Sequence, residues 1–555
     1  IRDSIMFSMK KLGLFCLAAL MAFGAGAAVT ANYRVVPLPQ KIQTSNAAGF
    51  ALNARTVISY PKDQKELANE ASFLQDYLKK MTGLKLAVKA GAPVDNCIAL
   101  SVDPAVGNAE GYRLAINRSG MKLTGGSAAG VFYGVQTIRK SIPQPTKEPV
   151  VFPAVEINDY PRFAYRGAHL DPCRHFFPFD SIKKYIDILA LHNMNKFHFH
   201  LTEDQGWRFE SKKYPLLTKI GSLRDSTQIH AGKGWDSTTY DPTPHSGYYT
   251  QKQLRELVKY AAARHIDIIP EVDLPGHMLA ALASYPELGC TGGPYTVWPH
   301  FGVSEDVLCA GNDKVYTFID DIIDEMMEIF PSEYIHVGGD ECPKVRWESC
   351  PKCQAKIKEL GYQNDDQSTK EQKLQSYVTH HVDDYITSRG RKMIGWDEIL
   401  EGGASPNSII MSWRGIDGAL KAAPLGHDVI MTPNNYCYFD YRQSDNPGEP
   451  HPVGSLLDFA QVYSFDPQVP QLTEDQKKHI LGVQANVWTE WIVDFPDVQY
   501  MALPRFAALA ENQWSAAPKD LDGLMRRMPQ MLDQYRANGY SFAPHILSDP
   551  RVAGK

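Results

Sequence analysis

The chain predicts an α/β protein: a (β/α)8 TIM barrel preceded by a small α+β domain. Three observations lead there. At 555 residues the chain is too long for one small core. From Arg166 onward, eight apolar strand-like runs alternate with amphipathic stretches, the pattern of a parallel sheet covered by helices. Carboxylates and tryptophans recur just after these runs, where a barrel of this kind carries its chemistry.

In chain order, the first 31 residues read as an export signal. Lys10 and Lys11 form a basic head, Leu12–Phe23 is apolar, and small residues follow. Ala25-Gly26-Ala27 and Val29-Thr30-Ala31 are both possible cleavage sites. The apolar run is short for a membrane span, and no later segment is apolar enough. The expected destination is therefore periplasmic or secreted.

Residues 32–160 mix short strands with helix. Thr56–Tyr60, Lys85–Lys89, Cys97–Val102, Tyr112–Asn117 and Met121–Gly125 have strand composition. Lys65–Met81 spaces Leu67, Ala71, Leu74 and Leu78 as a helix does, and Gly83 can cap it. Ala128–Ile142 is a second helix. The polar cluster Asn158–Arg162, with Pro161, marks a boundary.

Residues 161–545 make the expected barrel, with 546–555 a tail. The expected strands are Arg166–Asp171, Lys196–Leu201, Ile266–Val272, Glu333–Val337, Lys392–Trp396, Ser408–Trp413, Val429–Pro433 and Ile480–Trp488. Expected helices are Asp180–Asn193 with Asp180 as N-cap, Thr250–Arg264, Asp313–Phe330, Leu374–Ser388, Pro504–Glu511 and Leu521–Asn538.

Composition is that of an ordinary globular protein, and the net charge of -6 argues against nucleic acid and anionic membranes as partners. Removing the signal leaves eight cysteines, and export permits disulfides. Cys290 and Cys309 flank a Gly/Pro-rich loop and form the preferred pair. Cys350-Pro-Lys-Cys353 resembles half a zinc site, but no second half of suitable spacing is evident, so a local disulfide or free thiols is expected and no metal or cofactor.

The chemistry converges on Glu333–Cys342. A strand runs into Gly338-Gly339, which lets the backbone turn sharply, and then into Asp340 and Glu341. The other strand ends supply Arg166, Asp171, Glu203, Asp204, Asp273, His277, Trp396, Asp397, Trp413, Tyr438, Asp440, Trp488 and Glu490. Aromatic faces beside acids suit a neutral polyhydroxylated ligand: sugar C–H faces pack on rings, and carboxylates accept hydroxyl hydrogens. No phosphate cradle and no G-x-S-x-G elbow is present. A retaining glycosidase of the usual kind needs two carboxyls about 5–5.5 Å apart across the sugar. Asp340 and Glu341 are chain neighbours, with Cα atoms about 3.8 Å apart, and their side chains leave in different directions. That suits two different tasks better than an opposed pair.

Six motifs in order, Arg166-GAHL-Asp171, His198-FHLTEDQGW-Arg208, Glu271-VDLPG-His277, His336-VGGD-Glu341, Gly395-WD-Glu398 and Val487-WT-Glu490, resemble glycoside hydrolase family 20, the β-N-acetylhexosaminidases. The resemblance spans nearly the whole mature chain. It implies exo-hydrolysis of terminal β-linked N-acetylhexosamine from glycans, with retention and with the substrate's 2-acetamido oxygen as nucleophile. It implies Glu341 as acid and then base, a role that calls for a raised pKa. Asp340 would hold the acetamido nitrogen and Tyr438 its oxygen, with Trp396, Trp413 and Trp488 as pocket walls. Arg166 would bind the 3- and 4-hydroxyls, Asp440 and Glu490 the outer ones. His277 would relay protons with Glu203 or Asp204. Glu203 stands where the family pattern has a second aspartate, which leaves the identity of the His277 partner open.

Trp207, His198 and His200 read as core. Leu223–Tyr249 and Cys290–Gly311 are expected to shape the barrel mouth. Two other functions compete. His198-x-His200 with His277 and Asp340 could ligate a metal in a metal-dependent barrel hydrolase, or the chain could bind sugar without turnover. The choice of sugar, the aglycone and the oligomeric state stay open.

Overall fold

The structure is a computed structural model that describes residues 27–230 and 234–553. Most of the expected export signal, residues 1–26, lies outside the described residues. Among the described residues no helix is long and apolar enough to cross a membrane.

The N-terminal part is a seven-stranded mixed sheet in the order Lys41–Thr44, Val155–Asp159, Tyr112–Asn117, Gly120–Gly125, Cys97–Val102, Val57–Tyr60, Ala87–Ala90. Helices Ala68–Thr82 and Ala128–Ser141 pack against it and against each other. Gly83 ends the first helix at φ 74°, donating its amide to Lys79. A side chain there would strain the left-handed turn. The flanking strands Lys41–Thr44 and Val155–Asp159 carry charged or polar residues at alternate positions, which hid them from an apolar-run reading.

Eight parallel strands close the barrel: β1 Tyr165–Leu170, β2 Lys196–His200, β3 Asp267–Glu271, β4 Tyr334–His336, β5 Lys392–Trp396, β6 Ile409–Ser412, β7 Val429–Met431 and β8 Ile480–Ala485, with β8 pairing back onto β1. β8 ends three residues earlier than expected, so Trp488 stands on the rim loop. Helix Phe179–Leu191 begins ahead of Asp180, which is not its N-cap: Pro178 precedes the helix, and Asp180 sits in the first turn, where a carboxylate favours the helix dipole. The helix after Thr250 opens with a capping box between Thr250 and Gln253.

The barrel interior is polar near the rim. Glu271, fully buried, accepts from His200 Nδ1 at 2.5 Å, lies 2.8 Å from His198 Nε2, and accepts from Trp396 Nε1 at 3.1 Å. His336 Nδ1 lies 3.1 Å away from it, and the His198 and His336 rings stack at 4.3 Å. These histidines brace neighbouring strands through one shared acid. Trp207 is core as expected, buried and donating to the Phe209 carbonyl.

Candidate active site

The site is built around the turn after β4. Gly338 and Gly339 adopt φ 65° and 99°. A Cβ on Gly338 would stand 1.8 Å from Asp273 Oδ1, so only glycine lets Asp273 reach the turn and accept the Gly339 amide at 3.2 Å. Glu341 follows at φ 44° and His277, on the loop after β3, at φ 50°. Non-glycine residues held in that region cost of order 1–3 kcal/mol and mark sites where geometry is imposed by the surroundings.

His277 organises the acids. Its Nδ1 lies 2.7 Å from Glu203 Oε1 and 3.5 Å from Asp204 Oδ2. Glu203 is therefore the closer partner, and Asp204 Oδ1 is occupied by the Leu279 amide at 2.9 Å. On the other side, His277 Nε2 lies 3.7 Å from Asp340 Oδ2 and 3.6 Å from Glu341 Oε2. Both acids thus attend one nitrogen. Burial opposes a charge on the imidazole, but Glu203, Asp204 and Glu341 outweigh it and hold His277 well above its usual pKa. The consequence for the acids is unequal. The neighbouring His277 imidazole holds Glu341 below the ordinary carboxylate value, whereas burial, with repulsion from Glu341, pushes Asp340 up to about 6. The raised pKa expected for Glu341 thus falls on Asp340 in the free protein.

An aromatic cup stands beside them. Trp396 and Trp488 lie 5.8 Å apart at 46°, Tyr438 and Trp488 6.3 Å at 53°, and Tyr438 stacks on Trp413 at 5.9 Å and 15°. Trp413 is anchored through Nε1 to Glu398 Oε2 at 2.9 Å. These rings, Asp340, Glu341, Arg174, Asp440 and Glu490 line a cavity of about 290 Å³. Trp235 and Val303, from the two long insertions, reach its mouth as expected. Several buried polar atoms facing this region have no protein partner among the described residues: both Asp440 oxygens, Glu490 Oε2, Asp340 Oδ1, Arg174 Nε and His277 Nε2. Buried polar groups are rarely left so, and hydroxyls of a ligand would satisfy them. A larger cavity, about 940 Å³, lies against the N-terminal sheet near Tyr60 and Lys122, but it lacks such convergent acids.

Arg166 does not belong to this site. It enters at the start of β1, fully buried, and forks onto Glu110 of the N-terminal sheet domain at 2.8 and 2.7 Å, with Tyr133 at 2.8 Å. It is an interdomain clamp at the far end of the strand. The arginine at the cavity is Arg174, in the loop after β1, paired with Asp171 at 3.2 Å and Glu203 at 3.1 Å and lying 5.1 Å from the Trp488 ring centroid. Its position three residues past Asp171, on the first rim loop, was the signal available in the sequence. His198 and His200 converge on Glu271 and not, with His277, on the cavity. The preferred Cys290–Cys309 disulfide is absent: both cysteines are free among the described residues.

A family model for the glycosyl hydrolase family 20 catalytic domain matches residues 163–517, and one for domain 2 of the same family matches residues 32–160. The chain belongs to glycosyl hydrolase family 20. This family 20 hydrolase is 40% identical over 551 residues to a β-hexosaminidase of Porphyromonas gingivalis, covering 96% of this chain and 68% of that protein. It is 33% identical to a Vibrio furnissii β-hexosaminidase, covering 86% and 76%. Among solved structures it is similar to a Vibrio harveyi exo β-N-acetylglucosaminidase in complex with N-acetylglucosamine, with TM-score 0.80, 29% identity, and coverage of 93% and 79%.

Proposed function

We propose that this hydrolase releases terminal non-reducing β-linked N-acetylhexosamine from exported or extracellular glycans, with the sugar's acetamido oxygen as nucleophile. The observation that carries the reading is the shared nitrogen of His277. Asp340 and Glu341 both approach it, which supports a shared place on one side of the bound sugar over opposed places across its ring. The remaining cavity acids are poor nucleophiles. Burial holds Asp440 well above the carboxylate range, and it holds Glu490 at about 7 despite Arg174. A nucleophile must be ionised. This supports a nucleophile supplied by the substrate.

In the proposed first step the acetamido oxygen attacks C1, the C1–O bond breaks, and Glu341 gives its proton to the leaving oxygen. Asp340 accepts the acetamido N–H and stabilises the positive charge of the resulting oxazolinium. Tyr438, Trp396, Trp413 and Trp488 hold the acetamido group against C1, which raises its effective concentration. Glu341, now ionised, takes a proton from water as the water oxygen bonds C1 from the face the leaving group vacated and the C1–O bond to the acetamido oxygen breaks, which restores the β configuration.

Ligand binding also corrects the proton's position. An N–H donated to Asp340 favours its ionised form, while a sugar covering Glu341, whose side chain is 43% exposed, dries it and raises its pKa. The single proton of the pair then resides on Glu341. Arg174, Asp440 and Glu490 suit the ring hydroxyls. A cavity at the small end of the usual ligand range of roughly 300–1,000 Å³ favours one terminal sugar over an internal one. The Vibrio harveyi structure contains N-acetylglucosamine, a ligand of this class.

The test is a panel of nitrophenyl β-glycosides of glucose, galactose and their 2-acetamido counterparts. Cleavage confined to the acetamido pair is expected, and their ratio sets the gluco/galacto preference. Fast hydrolysis of a plain glucoside would sink the reading.

A further inference from the structure

Four cysteines meet beside the site. Cys290 and Cys309 come from the segment after β3, Cys350 and Cys353 from the segment after β4. Cys309 Sγ lies 3.7 Å from Cys350 Sγ and 3.7 Å from Cys353 Sγ, and Cys290 Sγ lies 3.9 Å from Cys353 Sγ. All four sulfurs fall within 4.8 Å of one another, and none is bonded to another. Cys309, Cys350 and Cys353 are buried and Cys290 is half-buried.

Two explanations compete. Disulfides need sulfurs about 2.05 Å apart, and they need pairs. Here Cys309 stands equally far from two candidates, so no pairing is singled out. A tetrahedral zinc with Zn–S bonds of about 2.3 Å has S···S edges of about 3.8 Å. These three edges lie within 0.1 Å of that value, and all six stay within 4.8 Å. The backbone is shaped to the same end. Cys350-Pro351-Lys352-Cys353 forms a tight C-x-x-C turn opening the helix Pro351–Glu359. Gly311 is pressed onto that turn, where a Cβ would stand 2.2 Å from the Lys352 carbonyl.

We infer that Cys290, Cys309, Cys350 and Cys353 form a structural zinc site. Four thiolates in a tetrahedron select zinc among common divalent ions. Four protein ligands leave no open position, so the metal takes no part in catalysis. Its place explains its use. One ligand pair sits on the segment that starts at His277, the other on the segment that starts at Glu341. A metal joining them locks the two loops that carry the proton-handling residues. The zinc half-motif visible in the sequence has its second half some way upstream, split by an insertion of eighteen residues between Cys290 and Cys309.

The test uses the full chain, purified without added chelator, and reads metal content and thiol state independently of activity. About one zinc per chain is expected, as for a four-cysteine site. It should survive dialysis against EDTA and be released in step with mercurial titration of four thiols. Protein grown with cobalt(II) should show thiolate-to-cobalt charge-transfer absorption. The double variant Cys350→Ser, Cys353→Ser should lose both signals and inactivate faster on heating. Should that variant fail to fold, Cys290→Ser at the half-buried corner provides the same readout, with Cys97→Ser, outside the cluster, retaining the metal. Wild-type protein without stoichiometric zinc, or peptide mapping that finds any of the four cysteines in a disulfide in active enzyme, would overturn the inference.

Discussion

Asp340→Asn separates the two carboxylates by titration. In the free protein the pair loses its last proton near Asp340's value of about 6. The reactive form carries one proton on the pair, so kcat/KM should fall as pH rises through about 6, a macroscopic property of the two acids together. In the variant the last proton belongs to Glu341 alone, which His277 holds below its ordinary 4.5. The basic limb should therefore move to lower pH, from about 6 to below the ordinary carboxylate value of 4.5. Separately, kcat at the new optimum should fall about 10²–10³-fold, as when one preorganised electrostatic contact is lost. The assay is kcat/KM on nitrophenyl N-acetyl-β-glucosaminide from acid to neutral pH for both proteins. A basic limb that stays near its wild-type position, or a rise in KM with kcat intact, would refute the reasoning.

Glu341→Gln should cost about 10²–10⁴-fold in kcat on disaccharides and much less on nitrophenyl glycosides, whose leaving group departs unprotonated; equal losses on both would exclude the acid role. Arg174→Lys should raise KM roughly tenfold or more through loss of charge-assisted hydrogen bonds worth about 1.5–3 kcal/mol, read from initial rates against substrate concentration. Arg166→Gln should leave KM near normal yet lower the unfolding free energy by about 3 kcal/mol, the lower end for breaking a buried pair because Glu110 is partly exposed; chemical denaturation followed by tryptophan fluorescence measures it. Tyr438→Phe should reduce kcat about 10- to 100-fold with stability unchanged, the size of one lost hydrogen bond to a developing charge.

The barrel was legible because parallel strands buried on both faces are written as apolar runs, and all eight were found within a few residues of their observed ends. The turn after β4 was legible for a related reason: two glycines before two acids have few structural uses. Arg166 misleads because its motif spans the whole length of a strand. A strand rises about 3.3 Å per residue, so Arg166 and Asp171 sit roughly 16 Å apart and cannot share a rim. The unequal pKa values of Asp340 and Glu341 could not be read at all, since they depend on which acid the fold buries and which it leaves near solvent. The cysteine cluster was half legible, because contact between the loops after β3 and β4 is a property of barrel closure and not of local spacing.

The fork of Arg166 onto Glu110 reaches beyond stability. Excising the barrel at residue 161 would take away Glu110 and Tyr133 together, so the Arg166 guanidinium would lose its anion and the foot of the first strand its cover. A smaller enzyme would need that foot rebuilt as a water-facing surface before the domain in front of it was removed.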